Sequence, residues 1–249
     1  MRMICFASRN TKEMVRDKIN LMFGLGFPVV VLLLLTAIQA NVPVDIFPLP
    51  RLTPGICVFG LSFIALFASM LISKDRSSSL VLRLFTSPMT GSDFIFGYTL
   101  PLALMSLGQI AVCLIVAFIL GLRASILNNL MLVLTLVPSI VLNIAIGLIC
   151  GTLLNDKQVG GVCGALLTNL SAWLSGTWFD LDMVGGAFQA IAKVFPFCHA
   201  VDAGRAALSG DWGSIFPELW PVIGWAGALL AIAIAIFTLK MKSDSNGKQ

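Results

Sequence analysis

Side chains that could perform chemistry are few and scattered in this 249-residue chain. The six cysteines stand singly, without a Cys-x-x-Cys pair, so we expect free thiols packed among helices rather than disulfides or a metal site. His199 is the sole histidine, which excludes a zinc site of the usual ligand composition. A phosphate-binding loop needs Gly-Lys followed by Ser or Thr, but Gln249 follows the one Gly-Lys pair, Gly247 and Lys248. The sequence therefore predicts no enzyme, no metal and no cofactor in this chain.

Apolar residues make up the elements that must position everything else. Hydrophobic residues account for 58% of the chain and charged residues for 11%, whereas about one quarter of a soluble domain is charged. Stretches without any charge are long enough to cross a bilayer, which takes about 20 helical residues. These stretches are 21–44, 52–73, 94–122, 124–155, 158–179 and 219–239. We predict an all-α polytopic membrane protein with six transmembrane helices, forming one domain over residues 1–249.

The distribution of Lys and Arg predicts the orientation. With an inner N-terminus and six crossings, the inner segments hold 12 of the 16 basic residues. These inner segments are 1–20, 73–93, 155–158 and 240–249. Because basic residues accumulate in cytoplasmic loops, both termini are predicted to be cytoplasmic in a multi-pass protein of the cell (plasma) membrane. The net charge of +4 then reflects topology, and we expect no nucleic-acid partner.

The predicted membrane interior contains no ionisable side chain near the middle of any span. Ion-coupled carriers and intramembrane enzymes need such groups at depth, so both classes are disfavoured. An energy source must then come from another polypeptide, unless the chain is a non-transporting assembly or immunity component of the same fold. The uncharged polar residues at depth are expected to hydrogen-bond between helices rather than to contact a substrate. They are Gln109, Thr135, Asn143 and Asn169.

The N-terminal segment, roughly 4–20, has the pattern of a basic amphipathic helix. Ile4, Ala7, Met14 and Val15 share one predicted face, and charged residues project elsewhere. Those charged residues are Arg9, Lys12, Glu13 and Arg16. Arg9 and Glu13 are four residues apart and can form an ion pair. We expect this helix to lie in the membrane interface and lead into the first span; the alternative is a charge cluster that only sets topology.

The second inner segment, 73–93, is predicted to hold a two-turn helix. Residues 77–79 offer an N-cap, apolar residues then recur at helical spacing, and Pro88 ends the helix. The apolar positions are Leu80, Val81, Leu84 and Phe85, with Arg83 off the stripe and Arg76 before it. An apolar stripe exposed to cytosol favours docking into a groove of a partner. The alternative is packing against the spans of this chain.

The outer segment 178–216, between spans five and six, is predicted to form two short re-entrant helices hinged near Pro196. Asp202 and Arg205 are three residues apart and can pair on the second helix. His199 is interpreted as a capping or packing residue rather than a switch. A seventh crossing is disfavoured, because it would bury charged residues and place the basic C-terminus outside.

Three groups of motifs in this order resemble the permease subunit of type-2 ATP-binding-cassette (ABC) exporters. Residues 9–18 followed by Phe27 and Pro28 are similar to the family's interface helix and its entry to span one. Residues 82–88, Leu-Arg-Leu-Phe-Thr-Ser-Pro, are similar to its Leu-x-x-Ser/Thr-Pro loop. The outer region shows the remaining likeness, which lies in 175–179, 188–196 and 201–205.

This resemblance implies a permease that forms the substrate pathway while two separate ATPase subunits hydrolyse ATP. It also implies a second permease chain, identical or closely related, and contact with membrane lipid. Spans one, two and five would line the pathway, and their uncharged faces suit an amphiphilic or lipid-like cargo. The expected ATPase-coupling residues are Arg9, Lys12, Glu13, Arg16, Arg76, Leu80, Arg83, Leu84, Phe85 and Pro88. The expected outer re-entrant residues are Pro196, Asp202 and Arg205.

Overall fold

The structure, a computed structural model, describes residues 2–78 and 91–246, and every regular element in this part of the chain is helical. Helix α1 is Arg2–Arg16, α2 is Lys18–Asn41, α3 is Leu49–Ser77, α4 is Gly91–Ile119 and α5 is Ile126–Leu153. Segments Asp156–Val159, Gly160–Leu167 and Thr168–Leu174 follow one another without a break and together form α6. Helices α7 (Leu181–Val184), α8 (Gly186–Ala192) and α9 (Pro196–Ser209) precede the long α10 (Trp212–Asn246).

Five helices in the described part of the chain are long and apolar enough to cross a membrane. They are α2, α3, α4, α5 and the Trp212–Leu239 part of α10, each with a mean hydropathy of 2.4–2.6 over its most apolar window. The all-α membrane fold is thereby confirmed. Helix α6 corresponds to the predicted fifth span but is not among the five, and the left-handed Gly176 (φ 64°) follows its end at Leu174. The sixth crossing stays a prediction.

Two of the long helices contain a π-helical segment. In α2 this segment is Met22–Gly26, directly before Phe27 and Pro28. Pro28 has no N–H to bond to the carbonyl four residues earlier. The preceding residue, Phe27, donates its N–H to the carbonyl of Met22, five residues earlier, which is the bond of a π-helix. The proline thus explains the local widening. In α6 the π segment Gly160–Leu167 contains three glycines and no proline.

Helix α3 lies at the centre of the bundle, with nearly all of its apolar window buried. It packs closely on α5 because Gly147 and Gly151 present no side chain: a Cβ on either would overlap α3 at Ala65 or Ser69. The Gly-x-x-x-Gly spacing in the sequence therefore does mark a close helix contact here. In this single chain, less than a quarter of the most apolar stretch of α2 and of α10 is buried.

Among the residues that the structure describes, the polar side chains predicted at depth bond within their own helices, so the predicted bonds between helices are not found there. Thr135 donates to the carbonyl of Leu132 at 2.8 Å, Asn143 to Ser139 at 2.9 Å and Asn169 to Ala165 at 2.7 Å. The amide of Gln109 faces the Sγ of Cys113, again on the same helix. A carbonyl one turn back is always within reach of a short polar side chain, whereas a partner on another helix must be built.

The segments around the bundle also differ in detail from the predicted pattern. Ser77 is the last residue of α3 and Ser78 its C-cap, so the predicted N-cap at 77–79 is wrong at its first two positions. The coupling-loop residues Leu80, Arg83, Leu84, Phe85 and Pro88 lie outside the described residues. Helices α8 and α9 flank a short elbow, residues 193–195, next to Pro196, where the hinge was predicted.

Candidate functional site

The last turn of α3 carries three consecutive charged residues, Lys74, Asp75 and Arg76. Together they bond to α1, to α4 and to the end of α5. We call this group the α3 charged end. It lies inside the predicted coupling loop, 73–93, whose ends are helical because α3 continues to Ser77 and α4 begins at Gly91; residues 79–90 lie outside the described part of the chain. Each of the three side chains makes its own connection.

Asp75 is the buried centre of the α3 charged end, with 3% of its side chain exposed. Its two carboxylate oxygens accept from the guanidinium of Arg9, at 2.5 Å from Nη1 to Oδ2 and 2.7 Å from Nη2 to Oδ1. The hydroxyl of Tyr98, on α4, donates to Oδ2 at 2.9 Å. The hydrogen bond to Asp75 raises the pKa of Arg9, against the opposing effect of burial. A two-point guanidinium–carboxylate contact fixes orientation as well as distance, so α1, α3 and α4 meet in a defined geometry.

Lys74 makes the second connection to α1. Its Nζ lies 2.8 Å from Oε1 of Glu13, and Glu13 also lies 3.7 Å from Arg9, as the spacing of four residues predicts. The hydrogen bond from Lys74 lowers the pKa of Glu13, and the nearby charges of Lys74 and Arg9 act in the same direction. Both groups are partly exposed, so this pair contributes less than the buried Arg9–Asp75 pair.

Arg76 connects α3 to the end of α5. Its guanidinium donates to the carbonyl oxygen of Thr152 and, at 2.8 Å, to that of Leu154. The last carbonyls of a helix have no partner within the helix, and a cation there also complements the helix dipole. Arg76 thus satisfies the C-terminus of α5 from a neighbouring helix.

Helix α1 is held on α4 through residues 6 and 10. Asn10 is fully buried and its amide donates to the carbonyl of Gly97 at 2.9 Å. One turn earlier, the ring of Phe6 packs edge-on against Tyr98, with centroids 5.0 Å apart.

The predicted apolar face of α1 is buried in part. Ala7 on this face is buried, whereas Ile4 and Val15 are 62% and 59% exposed on this chain. That this helix lies in the membrane interface stays a prediction.

The structure brings together part of the predicted coupling set. Arg9, Glu13 and Arg76 belong to the α3 charged end or bond to it. Lys12 and Arg16 are exposed on α1. No sequence pattern assigned a role to Asp75 or Tyr98. The signal available in the sequence is a single acid between two basic residues, directly after an apolar stretch.

A second polar cluster lies at the opposite end of the bundle, where α9 packs near the start of α3. Arg51 pairs with Asp180 at 2.6 Å, and this hydrogen bond lowers the pKa of Asp180. Arg205 donates to Oδ1 of Asp202 at 2.9 Å, which confirms the predicted pair, and to the carbonyl of Gly176 at 2.7 Å. Burial raises the pKa of Asp202 and lowers that of Arg205.

These charges line a cavity of about 730 Å³, which we call the α9 cavity. Its charged and titratable lining residues are Arg51, Asp180, Asp182, Lys193, Cys198, His199, Asp202, Arg205 and Glu218. Pro196 is the buried first residue of α9. Within the described part of the chain, no three His, Cys, Asp or Glu side chains come together as metal ligands would.

His199 links three segments at the rim of the α9 cavity. Its Nδ1 lies 2.6 Å from Oε2 of Glu218, on α10, and its Nε2 lies 2.9 Å from the carbonyl oxygen of Lys193. Both ring nitrogens are therefore in use. His199 therefore joins α9, α10 and the segment before α9. The interpretation of His199 as a packing residue rather than a switch stays a prediction.

Comparison with known proteins gives one result that bears on identity. No curated protein matches the chain. The family model described as "ABC-2 type transporter" matches residues 3–209, a range that includes α1, the α3 charged end and the whole of α9. The match covers most of the chain and agrees with the resemblance seen in the motifs, and so this protein belongs to the ABC-2 type transporter family as a membrane, permease-type transport component.

Proposed function

We propose that the chain is the permease subunit of an ABC exporter, driven by two separate ATPase subunits that contact its α1 end. It pairs with a second permease chain, identical or closely related, in the plasma membrane. Nucleotide chemistry takes place in the ATPases, and this chain converts their movement into a change of the transmembrane pathway. Its membership of the ABC-2 family supports this assignment.

The proposal includes six crossings, with α6 as the fifth span. Helix α6 spans about 28 Å at 1.5 Å per residue, close to the thickness of the hydrocarbon core. Its exposed side chains include the apolar Val162, Leu166 and Leu170 and the polar Asn169. Helices α7, α8 and α9 then form the outer re-entrant region, and both termini are cytoplasmic, as the bias of Lys and Arg indicates.

The α3 charged end is the observation that carries the coupling mechanism. Helix α1 is joined to α3 through Arg9 and Asp75, and α3 is joined to the end of α5 through Arg76. The predicted coupling loop, 73–93, begins within the last turns of α3. A force on α1 or on this loop therefore reaches α3, the central helix of the bundle, and with it the neighbouring spans. Spans one, two and five line the proposed pathway for an amphiphilic cargo.

The assay uses a complex of this chain with its ATPase, reconstituted in lipid vesicles. We expect wild-type chain to retain the ATPase during affinity purification and to change its rate of ATP hydrolysis. The double variant Leu84→Asp with Phe85→Asp places two charges in the predicted docking stripe. It should lose ATPase binding and ATP-driven export while still inserting into the membrane.

The matched control is Asp45→Asn with Asp211→Asn. These two exposed acids lie outside the helices, before α3 and before α10, and far from the predicted docking stripe in sequence. This variant should bind the ATPase like wild type. Retained ATPase binding and export in the Leu84 and Phe85 double variant would contradict the assignment of the loop. Absence of ATPase binding by wild-type chain would contradict the proposed function itself.

A further inference from the structure

The contacts of His199 require a defined number of protons. The carbonyl oxygen of Lys193 can only accept, so the Nε2 atom that faces it at 2.9 Å must carry a hydrogen. A carboxylate oxygen of Glu218 also only accepts, and it faces Nδ1 at 2.6 Å. A neutral imidazole has one N–H and cannot donate to both. The two contacts together therefore need one proton more than a neutral imidazole beside a carboxylate carries.

We propose that His199 and Glu218 form a proton-dependent contact that holds the 193–195 elbow and α9 against α10. Loss of the proton leaves one N–H for two acceptors. If Nε2–H keeps the carbonyl of Lys193, the lone pair of Nδ1 faces the carboxylate, and the hydrogen bond between α9 and α10 is lost. This inference concerns the α9 end and does not rest on the proposed coupling to an ATPase.

The elbow that the contact restrains has one further attachment to α10. The indole of Trp225 donates to the carbonyl of Val194 at 3.1 Å, and its ring stacks on Phe195 with centroids 6.3 Å apart. Within the described part of the chain, these bonds from His199 and Trp225 hold successive carbonyls of the elbow. The elbow borders the α9 cavity through Lys193.

Other charged groups around the pair must be separated from its effect. On α9 these are Cys198, Asp202 and Arg205; before α9 they are Asp182 and Lys193; from the start of α3 and the turn after α6 they are Arg51 and Asp180. Asp202 is the main competitor, because it interacts electrostatically with both His199 and Glu218. Burial raises the pKa of the Cys198 thiol to about 12, so this group stays neutral over the range of interest.

The sign of the pH dependence follows from proton counting. The closed arrangement binds one proton more than the open one, so acid favours the closed arrangement and alkali favours the open one. If one proton is linked to the change, the ratio of the open to the closed population rises about tenfold for each pH unit above the pH at which the proton is lost. The Glu218→Gln variant removes the linkage, because a glutamine amide can donate to an unprotonated Nδ1.

The test combines two measurements on purified full-length protein in nanodiscs. Since His199 is the sole histidine, ¹⁵N-histidine labelling gives one pair of ring signals. We expect both ring nitrogens to be protonated at pH 5.5 and a neutral ring at pH 9. The hydrogen-exchange rates of the backbone amides at 193–195 and 197–199 are then compared between wild type and Glu218→Gln at the same pH. The intrinsic chemical exchange rate is the same in both proteins and therefore cancels in the comparison. The exchange rate of wild type divided by that of Glu218→Gln should rise at least tenfold from pH 5.5 to pH 9.

Asp202→Asn serves as the matched control, since it removes a neighbouring acid and leaves the pair in place. It should keep the pH dependence of wild type. The His199→Leu variant should exchange rapidly at both pH values. The proposal is overturned if the ring is neutral at pH 5.5, or if Glu218→Gln and wild type show the same exchange at pH 9.

Discussion

The two ends of the bundle use similar charged residues in opposite ways. At the α1 end, Arg9 and Asp75 form a two-point contact around a carboxylate that is 3% exposed. At the α9 end, Arg51 and Asp180 are 47% and 32% exposed and lie on the wall of a large cavity. The first arrangement encloses a buried carboxylate, and the second surrounds a cavity of about 730 Å³.

This difference suits the two ends to different tasks: the α1 end transmits movement to α3, and the α9 end changes its own contacts. A buried ion pair loses its hydration on folding, so breaking it later without water costs much more than breaking a surface pair. The α1 end should therefore move as one body with α3. Contacts at the α9 end exchange for water at little cost, so that end can rearrange while the bundle stays intact. Each of the following predictions tests this contrast.

The largest expected loss comes from Asp75→Ala. The substitution leaves the guanidinium of Arg9 and the hydroxyl of Tyr98 without their buried acceptor, which should cost about 3 kcal/mol of the free energy of unfolding. Unfolding in a denaturing detergent series measures it. Asp75→Asn is the matched control, because its amide oxygen still accepts from Tyr98 and the loss should be about half. Equal stability of Asp75→Ala and wild type would remove the contrast between the ends.

Arg205→Ala should produce the largest loss at the α9 end. Arg205 is 20% exposed and bonds to Asp202 and to the carbonyls of Gly176 and Arg51. We expect a loss of about 2 kcal/mol, less than for Asp75→Ala because water in the cavity can replace the lost partners. Arg205→Lys keeps the charge but cannot reach all three acceptors, so its loss should be intermediate. A loss exceeding that of Asp75→Ala would reverse the ranking of the two ends.

Tyr98→Phe tests whether the aromatic packing or the hydroxyl holds α1 on α4. The variant removes the hydrogen bond to Asp75 and keeps the ring against Phe6. The expected loss is about 1 kcal/mol, typical of one buried hydrogen bond. Tyr98→Leu, which also removes the ring contact, should lose more. If both variants were equally unstable, the hydroxyl would account for the whole contribution.

Sequence reasoning reached the apolar spans, because they depend on side-chain hydropathy alone. It also reached the Arg9–Glu13 and Asp202–Arg205 pairs, since residues three or four apart share one face of a helix. Asp75 with Arg9 and Arg51 with Asp180 join distant parts of the chain, and no local periodicity encodes such a meeting. The same holds for the bond from Asn10 to the carbonyl of Gly97, because that carbonyl belongs to another helix.

The smallest effect should come from Arg51→Gln, which removes the exposed pair with Asp180. We expect a loss of about 0.5 kcal/mol at low salt that falls further as salt screens the pair. Because Arg51 lowers the pKa of Asp180, the stabilisation is complete above the ordinary pKa of Asp and is lost as the pH falls through the lowered value. The difference between wild type and Arg51→Gln, measured by unfolding across pH and salt, should therefore vanish in acid. For Glu13 at the α1 end the sign is the same, since the hydrogen bond from Lys74 lowers the pKa of Glu13 as well. The Arg9–Asp75 pair should keep its contribution in high salt, because ions cannot screen a carboxylate that water does not reach.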